Sequence, residues 1–252
     1  MTLEIITADA LHPFRHGFFT RRGGASSGVF AGLNCGRGSS DQAEVVEINR
    51  ARAAFAMDAS PDALRGLHQT HSDRAVVASP VAPDRPPEGD AIVTDHPDIV
   101  LAVLTADCAP VLFADRDAGV VGAAHAGWKG ALSGILESTL ATMETLGADR
   151  GRTVAVVGPT IGQSAYEVGP EFFESFVVED TGNTRFFAQG TGDRLLFDLP
   201  AFVLHRLRDA GIGAAEWLRH CTYSNPELFF SYRRSVHEKQ ADYGRLLSTI
   251  RL

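Results

Sequence analysis

Cysteine is scarce in this chain of 252 residues: there are three, Cys35, Cys108 and Cys221, and none forms a CxxC pair. An odd, scattered set argues against a disulfide framework and reads as reduced thiols in a cytoplasmic compartment. Long apolar runs are also lacking. The longest, Ile99 to Ala106, stops at Asp107, far short of the ~20 residues that a membrane span needs, so no membrane partner is expected. There is no excess of positive charge: 23 Lys and Arg stand against 31 Asp and Glu, a formal net charge of -8. A nucleic-acid binder needs clustered cations for the phosphates, so nucleic acid is not expected as a partner. A small phosphorylated substrate stays open, because a few local arginines can hold one. The opening MTLEIITADALHPF has no basic start followed by an apolar run, and no signal peptide is expected. Internal repeats and low-complexity tracts are absent.

What is present suits a folded core. Hydrophobic residues make up 44% of the chain, and one domain over residues 1–252 is expected. Arg21 to Ser40 is rich in Gly and Ser and reads as loop. It is either a mobile surface connection or backbone that comes close to a ligand. A helix is predicted at roughly Asp41 to Met57, with Asp41 and Glu44 in the form of a capping box. Short runs rich in Val, Ile and Leu then recur at Arg74–Ala78, Ala91–Thr94, Ile99–Leu104, Val111–Ala114 and Val120–Ala124. Turn residues bound them, and they read as strands of a buried sheet. The segment Ser79 to Gly89 carries four prolines and reads as a connection. A long helix is predicted from Gly127 to Leu146, with Trp128, Leu132, Ile135, Leu136, Leu140 and Met143 on one face and Gly147 as its C-terminal cap. A strand at Thr153–Val157, a helix starting near Gly169-Pro170, a loop from Asp180 to Arg194 and a helix near Leu199–Ala210 follow. Strands and helices without regular alternation predict a layered α/β fold with a mixed sheet.

Three sequence strings place polar residues beside the most apolar part of the chain: HQTH (His68 to His71), TADC (Thr105 to Cys108) and AHAGW, which contains His125. Strand ends that lead into helices are where α/β proteins gather their sites. Taken alone, a His is usually a surface or hydrogen-bonded residue, and a Cys behind an apolar strand is usually a small hydrophobe. Taken together, His71, Cys108 and His125 suit zinc, which accepts imidazole nitrogen and thiolate sulfur and would keep a fourth position for water or substrate. Their gaps are not zinc-finger spacings. Cys108 and His125 equally suit a thiolate nucleophile activated by a neighbouring imidazole. Arg21, Arg22, Lys129, Arg233 and Arg234 are candidates for holding an anion, although surface solvation is the ordinary fate of such residues. The free N–H groups expected at Gly127–Lys129 add to the attraction for anions.

The strings FFTRRGG, GLN, HQTHSD, GDAIVT, LTADCAPVLFAD, GAAHAGWKG, VGPTIGQSAYEVG and FFSYRR occur in one order along the chain. In that order they resemble the bacterial laccase-domain family, also called the multicopper polyphenol oxidase or DUF152 family. The similarity runs from about Phe18 to the C-terminus. The resemblance implies a single three-layer α/β/α domain with a mixed sheet, like that of a bacterial cysteine-deamidase toxin. It implies a zinc-dependent purine nucleoside phosphorylase with adenosine deaminase activity, acting on adenosine, inosine, guanosine or methylthioadenosine with phosphate. It further implies that His71, Cys108 and His125 are both metal ligands and catalytic residues. Arg21 and Asn34 carry functional weight in the family, and with Lys129 and Arg233 they are expected at the substrate and phosphate. Two positions depart: Lys129 stands where Arg is expected and Thr160 where many relatives have Cys. Lys offers a point charge without the planar fork of Arg. Rival readings are a copper-dependent polyphenol oxidase, a cysteine hydrolase acting on cell-wall precursors, and a metal-binding regulatory protein without turnover. A monomer is expected.

Overall fold

The computed structural model describes residues 2–252. The chain opens with β1 (Ile5–Ile6), β2 (Arg15–Phe19) and α1 (Ala43–Ala56). It continues through β3 (Leu64–Arg65), β4 (Ala75–Val77), β5 (Ala91–Thr94), β6 (Val100–Thr105), β7 (Ala109–Asp115) and β8 (Val120–Ala126). Helices α2 (Trp128–Ser133) and α3 (Ile135–Glu144) lead to β9 (Val154–Val157), β10 (Glu167–Val168) and α4 (Pro170–Glu179). The last elements are β11 (Phe187–Gln189), β12 (Leu195–Phe197), α5 (Leu199–Asp209), β13 (Ala214–Trp217), α6 (Tyr232–His237) and β14 (Leu246–Arg251). No described helix is long and apolar enough to cross a membrane.

The strands form a five-stranded sheet in the order β1-β2-β14-β6-β3 and a six-stranded sheet in the order β13-β9-β7-β8-β5-β4. A small sheet, β10-β12-β11, stands apart. Pairing is mixed in both large sheets: β3 runs parallel to β6, and β4 parallel to β5, among antiparallel neighbours. The expected α/β class with mixed pairing therefore holds, and its β layer is two sheets thick. Phe18, Leu101, Val103 and Ile250 of the first sheet pack on Ile92, Leu112, Val121 and Val156 of the second. The outer face of the first sheet, with Phe19, Val100 and Leu247, packs on Ala53 of α1. The outer face of the second, with Val93, Phe113 and Val157, packs on Ile135, Leu140 and Met143 of α3 and on Phe202 and Leu207 of α5. Sheets covered on both faces read as unbroken apolar runs, which is why the strands were legible while their division between two sheets was not.

Three local expectations change. The helix predicted over Gly127–Leu146 is broken at Gly134, whose φ of 108° ends α2 and starts α3. A left-handed residue there lets the chain turn at low steric cost because glycine has no Cβ. The loop predicted over Asp180–Arg194 contains a six-residue 3-10 turn and strand β11. The capping box at Asp41 is not formed: Gln42 is the N-cap, without a side-chain cap. The Asp41 carboxylate instead accepts from Ser26 Oγ at 2.6 Å and Asn34 Nδ2 at 2.9 Å.

Candidate metal centre and its cavity

The chain crosses from the first large sheet to the second between β6 and β7, at Ala106-Asp107-Cys108. Asp107 makes the corner with a left-handed φ of 85°. In the register of β7 and β8, Ala109 faces Ala126 and Pro110 faces His125. Cys108 thus arrives beside the end of β8 and the start of α2. His71 lies in the loop before β4, also left-handed, with φ of 60°. Such conformations cost a side-chain-bearing residue about 1–3 kcal/mol and persist where the surroundings enforce them.

Asp90, just before β5, is that enforcement. Its fully buried carboxylate accepts from the backbone N–H of Thr70, His71 and Ser72 at 3.1, 3.0 and 2.6 Å, and from Ser72 Oγ at 2.7 Å. The same carboxylate accepts a hydrogen bond from His125 Nδ1 at 2.8 Å. One carboxylate thereby folds the His71 loop and holds His125 by Nδ1, leaving its other ring nitrogen for Cys108 or a metal. This is how a second layer of side chains usually orients a ligating imidazole. Burial pushes the Asp90 carboxyl up, but the bonds from His125 and Ser72 outweigh it and hold it well below the usual carboxylate range.

Donor atoms of His71, Cys108 and His125 all lie within 4.8 Å of one another. The Cys108 Sγ to His71 Nε2 separation is 3.8 Å. Zinc–sulfur and zinc–nitrogen bonds of about 2.3 and 2.1 Å at a tetrahedral angle would set that separation at about 3.6 Å, so this pair is spaced as a shared metal needs, and the donor types suit zinc. Gly127 leaves room for it: a Cβ there would sit 2.7 Å from His71 Cδ2 and 3.1 Å from Cys108 Sγ. Without metal the cluster is an ion pair. Burial pushes the Cys108 thiol up, but the His125 charge and hydrogen bonds from both imidazoles bring it down to about 6. Burial pushes His125 down, but the Cys108 thiolate and Asp90 raise it to about 9. Among the described residues this is one three-donor cluster. A multicopper centre would need several, so the donor set counts against that centre, although a single His/Cys/His site can also take copper.

A cavity of about 600 Å³ opens over His71 and Cys108, within the range of small-molecule sites. Trp128, Tyr166, Phe172 and Tyr232 give it aromatic faces, and Lys129, Arg194 and Arg233 give it cations. Trp128 and Phe172 ring centroids are 4.6 Å apart. Arg233 is held in place: its backbone N–H donates to Asp107 Oδ2 at 2.6 Å, its Nη1 to the Glu167 carbonyl at 2.7 Å, and its guanidinium lies over the Tyr166 ring. Asp107 also accepts from Thr222 Oγ at 2.6 Å and Ser231 Oγ at 2.9 Å. The carboxylate that turns the chain into Cys108 therefore ties that turn to the FFSYRR segment.

The structure brings His71, Cys108, His125, Lys129 and Arg233 together. Arg21 and Asn34, expected at the substrate, do not line this cavity. Arg21 donates to the carbonyls of Ala31 and Pro226 at 3.1 and 3.0 Å and lies over the Phe230 ring. Asn34 is fully buried and donates to Ser39 and Asp41, while its Oδ1 accepts from the N–H of Gly36 and Arg245. Both fold the Gly-rich loop onto the rest of the chain. Arg22 pairs with Glu4, and Arg234 donates to the carbonyls of Thr222, Tyr223 and Phe229. Thr160 Oγ donates to the Asp107 carbonyl at 2.7 Å. Sequence reasoning passed over Asp90, Asp107 and Tyr166. The available signal was a carboxylate set directly against a buried apolar strand, in GDAIVT and in LTADC.

The model of the family described as multi-copper polyphenol oxidoreductase laccase matches residues 15–252. A Deinococcus radiodurans protein named purine nucleoside phosphorylase is 40% identical over 237 residues, covering 94% of this chain and 88% of its own. Purine nucleoside phosphorylase YfiH of Escherichia coli is 38% identical over 218 residues, covering 85% of this chain and 86% of its own. The crystal structure of the Neisseria meningitidis protein NMB0706 superimposes with a TM-score of 0.88 at 32% identity, covering 100% of this chain and 99% of that one.

Proposed function

The chain belongs to the multi-copper polyphenol oxidoreductase laccase family, and on that premise we propose that it is a zinc-dependent purine nucleoside phosphorylase working at His71, Cys108 and His125. The observation that carries the reading is a three-donor cluster opening into a cavity that offers both aromatic faces and cations. The relatives named as phosphorylases support it. In the reaction a phosphate oxygen bonds to ribose C1′, the C1′–N9 bond breaks, and the purine leaves with the electron pair. Little covalent work falls to the protein; positioning and charge do most of it. Arg233 and Lys129 hold the phosphate charge, and Trp128, Tyr166 and Phe172 give the base its apolar surroundings. His71, Cys108 and His125 would hold the zinc, which would supply Lewis acidity at the cavity when bound. Asp90 keeps the His125 imidazole aimed, and Asp107 keeps Arg233 in place. Hydrolytic deamination of adenosine, in which water replaces the C6 amino group and ammonia leaves, is a slower second activity of the same site.

Incubation of the purified protein with adenosine, with and without phosphate, tests this. Adenine and ribose 1-phosphate are expected with phosphate, and slow inosine formation without it. Arg233→Ala should raise the phosphate KM by about tenfold or more, as loss of a charge-assisted contact does. A cysteine hydrolase using Cys108 and His125 would survive loss of His71 and consume no phosphate. A polyphenol oxidase would draw oxygen with phenols and leave adenosine intact. Neither adenine nor inosine from folded, zinc-loaded protein would overturn the proposal in favour of those readings or of a metal-binding protein without turnover.

A further inference from the structure

A second cleft, of about 1110 Å³, lies across the HQTH segment from the metal cluster. Thr70 and His71 line the cavity of the cluster, whereas His68 and Gln69 line this cleft. Its apolar lining includes Ala102, Leu104 and Leu247. Arg50 of α1 also lines it, and Arg50 is only 7% exposed. Its Nη1 donates to the Cys35 carbonyl at 3.2 Å, and its buried Nε has no partner. Glu47, one turn earlier on α1, is engaged elsewhere: Arg37 takes both of its oxygens, at 2.6 and 2.8 Å. The carboxylates that line the cleft, Asp62, Asp84 and Glu88, are all exposed, where water screens them. A guanidinium has five N–H donors, and a cation this deep with no carboxylate bonded to it, only the charge of Glu47 nearby, is unfavourable. Burial and the neighbouring Arg37 both press it toward losing its proton, the effect an incoming anion would relieve.

We propose that this cleft is a second binding site, for a small amphiphilic oxyanion: a phosphate or carboxylate head on Arg50 and a planar apolar body over Leu104 and Leu247. The site does not depend on the phosphorylase reading, since none of its residues lines the cavity of the metal cluster. Phenyl phosphate and benzoate are the probes, and inorganic phosphate is the control for the apolar body. Calorimetric titration of the full, metal-loaded chain should show phenyl phosphate or benzoate binding that Arg50→Met weakens by about tenfold or more and Arg50→Lys weakens less, in line with the loss of charge-assisted bonds. Whichever of the two probes binds more tightly identifies the head group. Crystals of the unsubstituted protein soaked in that probe should show its oxyanion against Arg50, a result that stands even if the Arg50 variants fail to fold. Probe density confined to the cavity of His71 and Cys108, or affinity unchanged in folded Arg50→Met, would overturn the proposal.

Discussion

The Gly-rich loop at Arg21–Ser40 and the cluster around His71, Cys108 and His125 look alike as sequence. Both set glycines beside polar residues, and both carry strings of the family. In the structure they do opposite things. Asn34 has two N–H donors and two acceptor positions, and the fold uses all four, through Ser39, Asp41, Gly36 and Arg245. Arg21 is likewise taken up by two carbonyls and an aromatic ring. At the cluster the saturated group is Asp90: it holds the His71 loop and His125, and donor atoms of His71, Cys108 and His125 gather within 4.8 Å of one another. A polar motif can take a ligand only with bonding capacity left over after the fold has used its share. The loop has none left at Asn34, and the cluster has three donors.

The largest effect that would sharpen this contrast is loss of metal. Cys108→Ala should lower bound zinc from about one per chain to less than about a tenth of that, because two imidazoles alone bind weakly. Elemental analysis after dialysis reads the result. Asp90→Asn comes next. It keeps the size of the side chain but weakens the grip on His125 and on the His71 loop, so zinc affinity should fall about 10–100-fold, as for other residues behind a metal ligand. Competition with a chromophoric chelator measures it. On the other side of the comparison, Asn34→Ala should destabilise the protein by about 3 kcal/mol, since it strands buried partners, and leave zinc content unchanged. Urea unfolding and elemental analysis together check this, and zinc loss in folded Asn34→Ala protein would erase the distinction between the two regions.

A smaller effect lies in pH. In metal-free protein the Cys108 thiolate is gained as pH rises through about 6, against 9.0 for an ordinary thiol and about 12 for the buried Cys35. Alkylation of Cys108 by iodoacetamide should therefore persist down to about pH 6, and zinc should suppress it. Stability should respond much less. Between about 6 and about 9 the folded pair shares one proton, and an unfolded chain with thiol at 9.0 and imidazole at 6.5 also carries one. Equal proton counts give no slope of stability with pH. A steep slope in that window would show that Cys108 and His125 do not titrate as a pair.

Cys108 and His125 were legible as candidates because each stands at an apolar strand, where a polar residue needs a reason, whereas His71 was legible only as part of the HQTH string. Lys129 and Arg233 were legible as cations near apolar runs. Asp90 was not, because its role lies in six hydrogen bonds to residues 70–72 and 125, contacts that only the folded chain brings within reach. Arg21 and Asn34 were misplaced for the converse reason: their partners, among them Pro226 and Arg245, come from the far end of the chain. Strand existence was plain from Val, Ile and Leu runs. The break at Gly134 lay inside a helical pattern whose apolar face continues across it.

The most direct test is the rate of adenine release from adenosine and phosphate, measured side by side for Cys108→Ala and Arg21→Ala and normalised to folded protein. Cys108→Ala should fall to background, while Arg21→Ala should stay within about threefold of the unsubstituted enzyme, as expected for a residue that does not line the cavity. An active Cys108→Ala protein, or an Arg21→Ala protein that is folded and inactive, would contradict the assignment of the chemistry to the cluster.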